Sequence, residues 1–189
     1  LGNQVVMARV AGPDVSRMMS AEQIAGLMAQ IPEAYRDQFE QALFLFKMGL
    51  PFNLDAWDGY PADRERLYAD FVEAGVKPIV ISGDSHAFWV NDLKDASGVR
   101  RAVELGTASV SSPSIADAIG GFPLGQALMQ TNDEVVFCDQ SAKGFVLLTL
   151  TEDFAEARLM AVSTIFAKPF ETTVLARFKV TPEGEMSRL

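Results

Sequence analysis

Apolar residues recur at helical spacing in the first third of the chain and cluster in short strand-length runs towards its end. Gln4 to Val10 reads as a short strand, and Gly12-Pro13-Asp14 as a turn. Ser20 offers a helix N-cap, with Gln23 three residues on to complete a capping box. Ile24, Leu27, Met28 and Ile31 follow at helical spacing until Pro32 interrupts. A second helix is predicted from about Glu33 to Met48, with Tyr35, Phe39, Ala42, Leu43 and Phe46 on one stripe. Gly49 and Pro51 stop it. Residues 51–60 read as an extended loop, and Pro61 suits the first turn of a third helix. Leu67, Tyr68, Phe71 and Val72 form its apolar face, Arg64, Glu65, Asp70 and Glu73 its wet face, and Gly75 closes it.

Residues 76–81 then form a continuous, β-branched run, as expected of a strand buried on both faces. Pro78 sits near its start, where a missing donor matters least. Another strand is predicted at Arg101 to Leu105, leading into a Ser-rich loop from Ser109 to Ser114. Residues 115–131 are mixed, with a Gly120-Gly121 break, and predict no firm element. Four strands follow, at 134–138, 144–151, 157–164 and 172–180, and residues 181–189 read as a frayed tail. Helices first, one β-α-β-like unit, then antiparallel strands favour a mixed α/β sandwich over a doubly wound sheet. The absence of a Gly-x-Gly-x-x-Gly or Walker loop removes support for a nucleotide fold.

The 189 residues suit one domain or a large piece of one. With 49% hydrophobic and 22% charged residues, the chain can build a packed core. The net charge of −9, with no basic stripe, disfavours nucleic acid. No run approaches the roughly 18 apolar residues of a membrane span. The same negative field repels phosphate esters, so chemistry on them needs bound cations. The single cysteine, Cys138, lies in the apolar run 135–138 and reads as a core residue. The chain opens without a signal-peptide pattern, on what reads as the approach to a strand. That opening predicts an upstream part not included here.

The candidate chemistry sits just after the run at 76–81. Gly83-Asp84-Ser85-His86 follows at the carboxyl end of a predicted strand, where α/β sheets gather ligands. Gly83 would permit a tight turn. Asp84 offers hard oxygen ligands and His86 an imidazole nitrogen, so the pair could face a metal cluster. The competing reading makes Asp84 a turn-stabilising carboxylate and His86 a hydrogen-bonded packing residue beside Ala87-Phe88-Trp89-Val90. His86 is the only histidine. That argues against a Ser-His-Asp or Cys-His site elsewhere and against a histidine-rich zinc site.

Trp57-Asp58-Gly59-Tyr60-Pro61-Ala62-Asp63-Arg64, the segment 78–89 around Gly-Asp-Ser-His, and the stretch 103–112 together resemble the alkaline phosphatase D (PhoD) family. The opening Leu1-Gly2-Asn3-Gln4 resembles a segment upstream of these motifs. The resemblance implies that residues 1–189 are the C-terminal portion of a metallophosphatase-like sandwich, two β-sheets flanked by helices. It implies metal-dependent phosphoester hydrolysis, as an alkaline phosphatase or phosphodiesterase, with iron and calcium as metals. It further implies a periplasmic or extracellular location. Asp84 and His86 would be metal-site residues, with Trp57 and Tyr60 in the loop beside the site or supporting it. The family's earlier acidic motifs, metal-binding cysteine and substrate-gripping arginine belong to sequence before Gln4, and Cys138 lies too far downstream to stand for that cysteine. The chain alone is therefore expected to be inactive and to need the missing N-terminal portion as a partner. Exposed edges and apolar faces would also favour homo-oligomers. A non-catalytic α/β interaction domain or a metal-binding module stands as the alternative.

Overall fold

The computed structural model describes residues 1–119 and 122–189; the Gly120-Gly121 break lies outside the described residues. Helix α1 spans Ala21–Gln30 and α2 spans Glu33–Lys47. The predicted capping box is present: Gln23 N donates to Ser20 Oγ at 3.2 Å, and Ser20 N to Gln23 Oε1 at 2.8 Å. Helix α3, Pro61–Glu73, opens on its proline.

Two four-stranded sheets follow. Strands β1 (Ile79–Ser82), β2 (Phe88–Lys94), β3 (Arg100–Gly106) and β4 (Val135–Asp139) form the first, in the order β1-β3-β2-β4. Within it β1 and β3 run parallel and the other pairs antiparallel. Helices α4 (Ile115–Ala118) and α5 (Leu124–Thr131) lie between β3 and β4 in the chain. Strands β5 (Gly144–Leu150), β6 (Ala155–Val162), β7 (Thr172–Val180) and β8 (Met186–Arg188) make a wholly antiparallel second sheet in sequence order. The mixed α/β sandwich is thus present. The tail is not frayed, however, because Met186 to Arg188 pair with Phe178 to Val180.

Period-two alternation sorts the first sheet between two cores. Phe88, Val90, Val103 and Leu105 face the second sheet, meeting Ala157, Leu159, Phe178 and Val180. Trp89, Leu93 and Ala102 face the other way, towards Met7, Leu27, Tyr68 and Phe71. Trp89 lies opposite Gly106, and a Cβ there would stand 2.8 Å from the Cβ of Trp89. That close approach is why the strand ends on glycine.

On this second face the alternation also buries Asn91 and Glu104, both fully inaccessible. They explain why the predicted strand at Gln4 to Val10 does not form. Residues 7–11 run as a buried strap whose N–H groups are taken by side chains rather than by a ladder. Met7 N and Ala8 N donate to the two carboxylate oxygens of Glu104, at 2.7 and 3.1 Å. Arg9 N donates to Glu134 at 2.9 Å, Val10 N to Asp58 at 2.8 Å and Ala11 N to Asn132 at 2.7 Å. Five consecutive donors are thereby satisfied, as burial requires. Backbone pairing along β1 comes from the residues before the strap: Asn3 N donates to the Ile81 carbonyl, Ile81 N to that of Leu1 and Gly83 N to that of Gln4, while at the end of the strap Ala11 forms a single bridge to Pro51.

Candidate functional site

Strand β1 delivers Gly-Asp-Ser-His at its carboxyl end, beside the strap. Gly83 N donates to the Gln4 carbonyl at 3.1 Å, and Thr107 N to the Ser82 carbonyl at 2.9 Å. These bonds fix both sides of the turn to neighbouring backbone. Ser85 N closes back on the Gly83 carbonyl at 2.7 Å, a γ-type turn centred on Asp84. The strain does not fall on the glycine, as the sequence suggests. Asp84 has φ +65° and His86 φ +56°, both in the left-handed region. A Cβ at Gly83 would meet nothing closer than 3.8 Å. Each left-handed non-glycine residue costs about 1–2 kcal/mol, so the motif holds two polar side chains in conformations that glycine would adopt freely.

What those side chains present follows from their partners. Asp84 is exposed, and among the described residues no hydrogen bond occupies its carboxylate. His86 is half-buried, and its Nδ1 lies 2.7 Å from the Pro113 carbonyl oxygen. A carbonyl can only accept, so Nδ1 carries a proton, and in the neutral ring the lone pair is on Nε2. This is how metal-ligating histidines are commonly oriented. Ser85 accepts from the indole of Trp89 at 2.8 Å, tying the turn to the core.

Asp84, Ser85 and Trp89 line a cavity of about 340 Å³ together with Phe46, Phe52 and Ala8 and Val10 of the strap. Asp58 also lines it. The loop residues chosen from sequence sit differently. The Trp57 indole packs against the core and donates to Asn3 Oδ1 at 3.2 Å, one residue before the carbonyl that Gly83 bonds. Tyr60 is 57% exposed at the start of α3. Neither lines the cavity. Asp58 between them was not singled out from sequence, although its place between Trp57 and Tyr60 was a signal. It accepts from Val10 N and pairs with Arg64 Nη1 at 2.8 Å. Arg64, assigned to the wet face of its helix, is buried and also donates to the Met7 carbonyl at 3.2 Å. The buried pair clamps the strap to α3.

The Ser-rich loop supplies the partner of His86. Behind Pro113, Ser114 donates to the Gln140 carbonyl, and Lys143 reaches Ser114 Oγ at 3.1 Å and Asp117 at 2.8 Å. Cys138 is buried in β4, where burial pushes its thiol up to about 12. It is a core residue and not a nucleophile.

The donor chemistry of Asp84 and His86, one open carboxylate and one imidazole of fixed tautomer, fits one side of a metal site. Among the described residues no group of three or more His, Cys, Asp or Glu side chains is arranged to hold an ion. No helix there is long and apolar enough to cross a membrane.

Comparison with known proteins agrees with this architecture. A family model described as PhoD-like phosphatase matches residues 1–159. Alkaline phosphatase D of Bacillus subtilis is 29% identical over 106 residues, covering 53% of this chain and 18% of that protein. A solved structure of PhoD superposes with a TM-score of 0.65 at 18% identity, over all of this chain and 31% of that one. The chain therefore spans less than a third of the length of either relative.

Proposed function

The chain belongs to the PhoD-like phosphatase family, and on that premise we propose that residues 1–189 are the C-terminal portion of a metal-dependent phosphoester hydrolase. The observation that carries the proposal is the turn after β1. Two strained residues hold a carboxylate that makes no hydrogen bond among the described residues and an imidazole whose Nδ1 is turned to the Pro113 carbonyl. Strain retained at polar side chains, where glycine would relieve it, points to use of those side chains.

In this reading Asp84 and His86 supply two ligands to a metal site, with iron and calcium the ions that the family resemblance suggests. Such ions, when bound, bring positive charge against phosphoryl oxygens and acidify water. The protein's part is orientation. Pro113 fixes the imidazole, Trp89 anchors Ser85, and Asn3 with Trp57 braces the segment that Gly83 bonds. The cavity beside Asp84 gives a phosphate ester room to approach. Tyr60, exposed at the start of α3, and Trp57 belong in this reading to the loop beside the site. The remaining ligands come from an N-terminal portion of the enzyme, so residues 1–189 alone are inactive. The exposed Phe145, Leu147 and Leu150 of edge strand β5 offer a place for that portion, or a second copy, to pack. Export to the periplasm or beyond belongs to the same reading.

Metal content by mass spectrometry and hydrolysis of p-nitrophenyl phosphate and its diester test it. Both are measured on this chain and on the chain joined to the enzyme's upstream segment. Metal and turnover are expected in the longer protein only, and both should fall at least about a hundredfold in Asp84→Asn and His86→Asn. Robust turnover by the 189 residues alone would overturn the incompleteness. Neither metal nor turnover in the longer protein would overturn the hydrolase assignment.

A further inference from the structure

Lys143 is a buried lysine far from the turn in sequence, and its ammonium group is fully employed. Its side chain is 8% exposed. Nζ donates to Ser114 Oγ at 3.1 Å, to the Ser141 carbonyl at 3.0 Å and pairs with Asp117 Oδ2 at 2.8 Å. An ammonium has three protons, and these three acceptors take them all. Lys143 is thus not a free cation awaiting a phosphoryl oxygen. Its partners show what it holds instead. Ser114 N donates to Asp117 Oδ2 at 2.6 Å, closing the first turn of α4, while the one proton of the Ser114 hydroxyl goes to the Gln140 carbonyl. Ser114 follows directly on Pro113, whose carbonyl takes the proton of His86 Nδ1. The backbone around the same lysine joins the start of β5 to its neighbours: Val162 N of β6 donates to the Lys143 carbonyl at 2.9 Å, and Gly144 N donates to the Ser109 carbonyl of the Ser-rich loop at 2.9 Å. A Cβ at Gly144 would stand 1.8 Å from the Met160 carbonyl oxygen, so this junction admits only glycine. The Ser-rich loop is therefore pinned at Ser109 and again at Ser114 by consecutive residues, Gly144 and Lys143.

We propose that Lys143, through Ser114 and Asp117, is a positioning residue that holds the Pro113 carbonyl on His86 Nδ1 and so sets the tautomer that frees Nε2. The importance of the free nitrogen rests on the ligand role given to His86 above, but the tautomer itself is a property of this chain without metal. A neutral imidazole in water prefers its proton on Nε2. The opposite tautomer therefore requires the Pro113 carbonyl to be held in place.

His86 is the only histidine in the chain, so its two nitrogens can be read without assignment ambiguity. The experiment is ¹⁵N-histidine NMR of the 189-residue chain in EDTA, at a pH where the ring is neutral. It compares wild type with Lys143→Met, Lys143→Arg and Asp117→Asn. Wild type is expected to show the Nδ1–H form. Lys143→Met should lower the Nδ1–H to Nε2–H ratio at least about fivefold, the equivalent of one lost hydrogen bond of about 1 kcal/mol. Lys143→Arg should restore part of it. Asp117→Asn alters a half-exposed side chain and keeps an acceptor oxygen at the first turn of α4, so it should give a smaller loss in the same direction and reads the same contact should Lys143→Met not fold. An Nε2–H tautomer in wild type, or a ratio unmoved in both Lys143→Met and Asp117→Asn, would overturn the proposal. Because no metal is present, these outcomes are separate from the metal binding and turnover that test the ligand role.

Discussion

Glu104→Gln is the sharpest test of how the strap is held. The carboxylate receives three N–H donors, from Met7, Ala8 and Asn91, at 2.7 to 3.1 Å, and is fully buried. Gln keeps the shape and one acceptor oxygen, but turns the other into an amine. Whichever way the amide faces, at least one N–H is left facing another N–H. An orphaned buried donor costs about 1–3 kcal/mol, and the bonds that survive lose their charge assistance. Against this, burial pushes the Glu104 carboxyl up in pKa, and a neutral amide is spared that desolvation. The balance is a loss of about 2 kcal/mol. With a urea slope of about 2 kcal/mol/M, the midpoint should fall by about 1 M. Urea titration followed by tryptophan fluorescence reads it, since Trp89 is buried against the same face. Amide exchange at Met7 and Ala8 should accelerate in parallel. A midpoint within about 0.25 M of wild type, with both amides still protected, would refute the claim that this carboxylate anchors the strap.

Two further expectations concern titration. Hydrogen bonding from Lys143 holds the Asp117 carboxyl below its usual range. Its stabilising effect is therefore present above the ordinary carboxylate pKa and is lost as pH falls through the depressed one. The melting-temperature gap between wild type and Asp117→Asn should accordingly close in acid, and a gap constant from pH 6 to pH 2.5 would contradict it. The Cys138 thiol, raised to about 12 by burial, should not react with iodoacetamide at pH 8 until the chain is denatured; rapid native-state alkylation would contradict the buried assignment.

Much of this was legible from residue pattern, for physical reasons that can be named. Ser20, Pro61 and the β-branched run at 76–81 act through their immediate neighbours, so capping, helix start and strand could be read locally. The Gly-Asp-Ser-His turn was legible because a strand end is a place in the chain as well as in space. Residues 4–10 misled because their apolar run is that of a buried extended segment, while their hydrogen-bond partners lie up to 125 residues away. Arg64 misled for the same reason: helical periodicity put it on the wet face, and only the later docking of the strap buries it. Strand β2 was missed because Asn91 and Asp92 interrupt its apolar run, and the need for Asn91 there appears only once Glu104 is opposite it. Lys143 carried no local signal at all.

The strap also has a consequence for the order in which the chain assembles. Its acceptors come from the loop before α3, from β3 and from either end of the turn before β4, and the contacts to Glu104, Glu134 and Asn132 close loops of 96 to 125 residues. None of these side chains is gathered into a receptor until the first sheet has paired. Loop-closure entropy over such spans is spent before any of the bonds returns it. The earliest residues of the chain are therefore among the last to dock. Substitutions at the strap should speed unfolding while leaving the folding rate nearly unchanged. The wall of the cavity beside Asp84 is complete only when that last step has occurred.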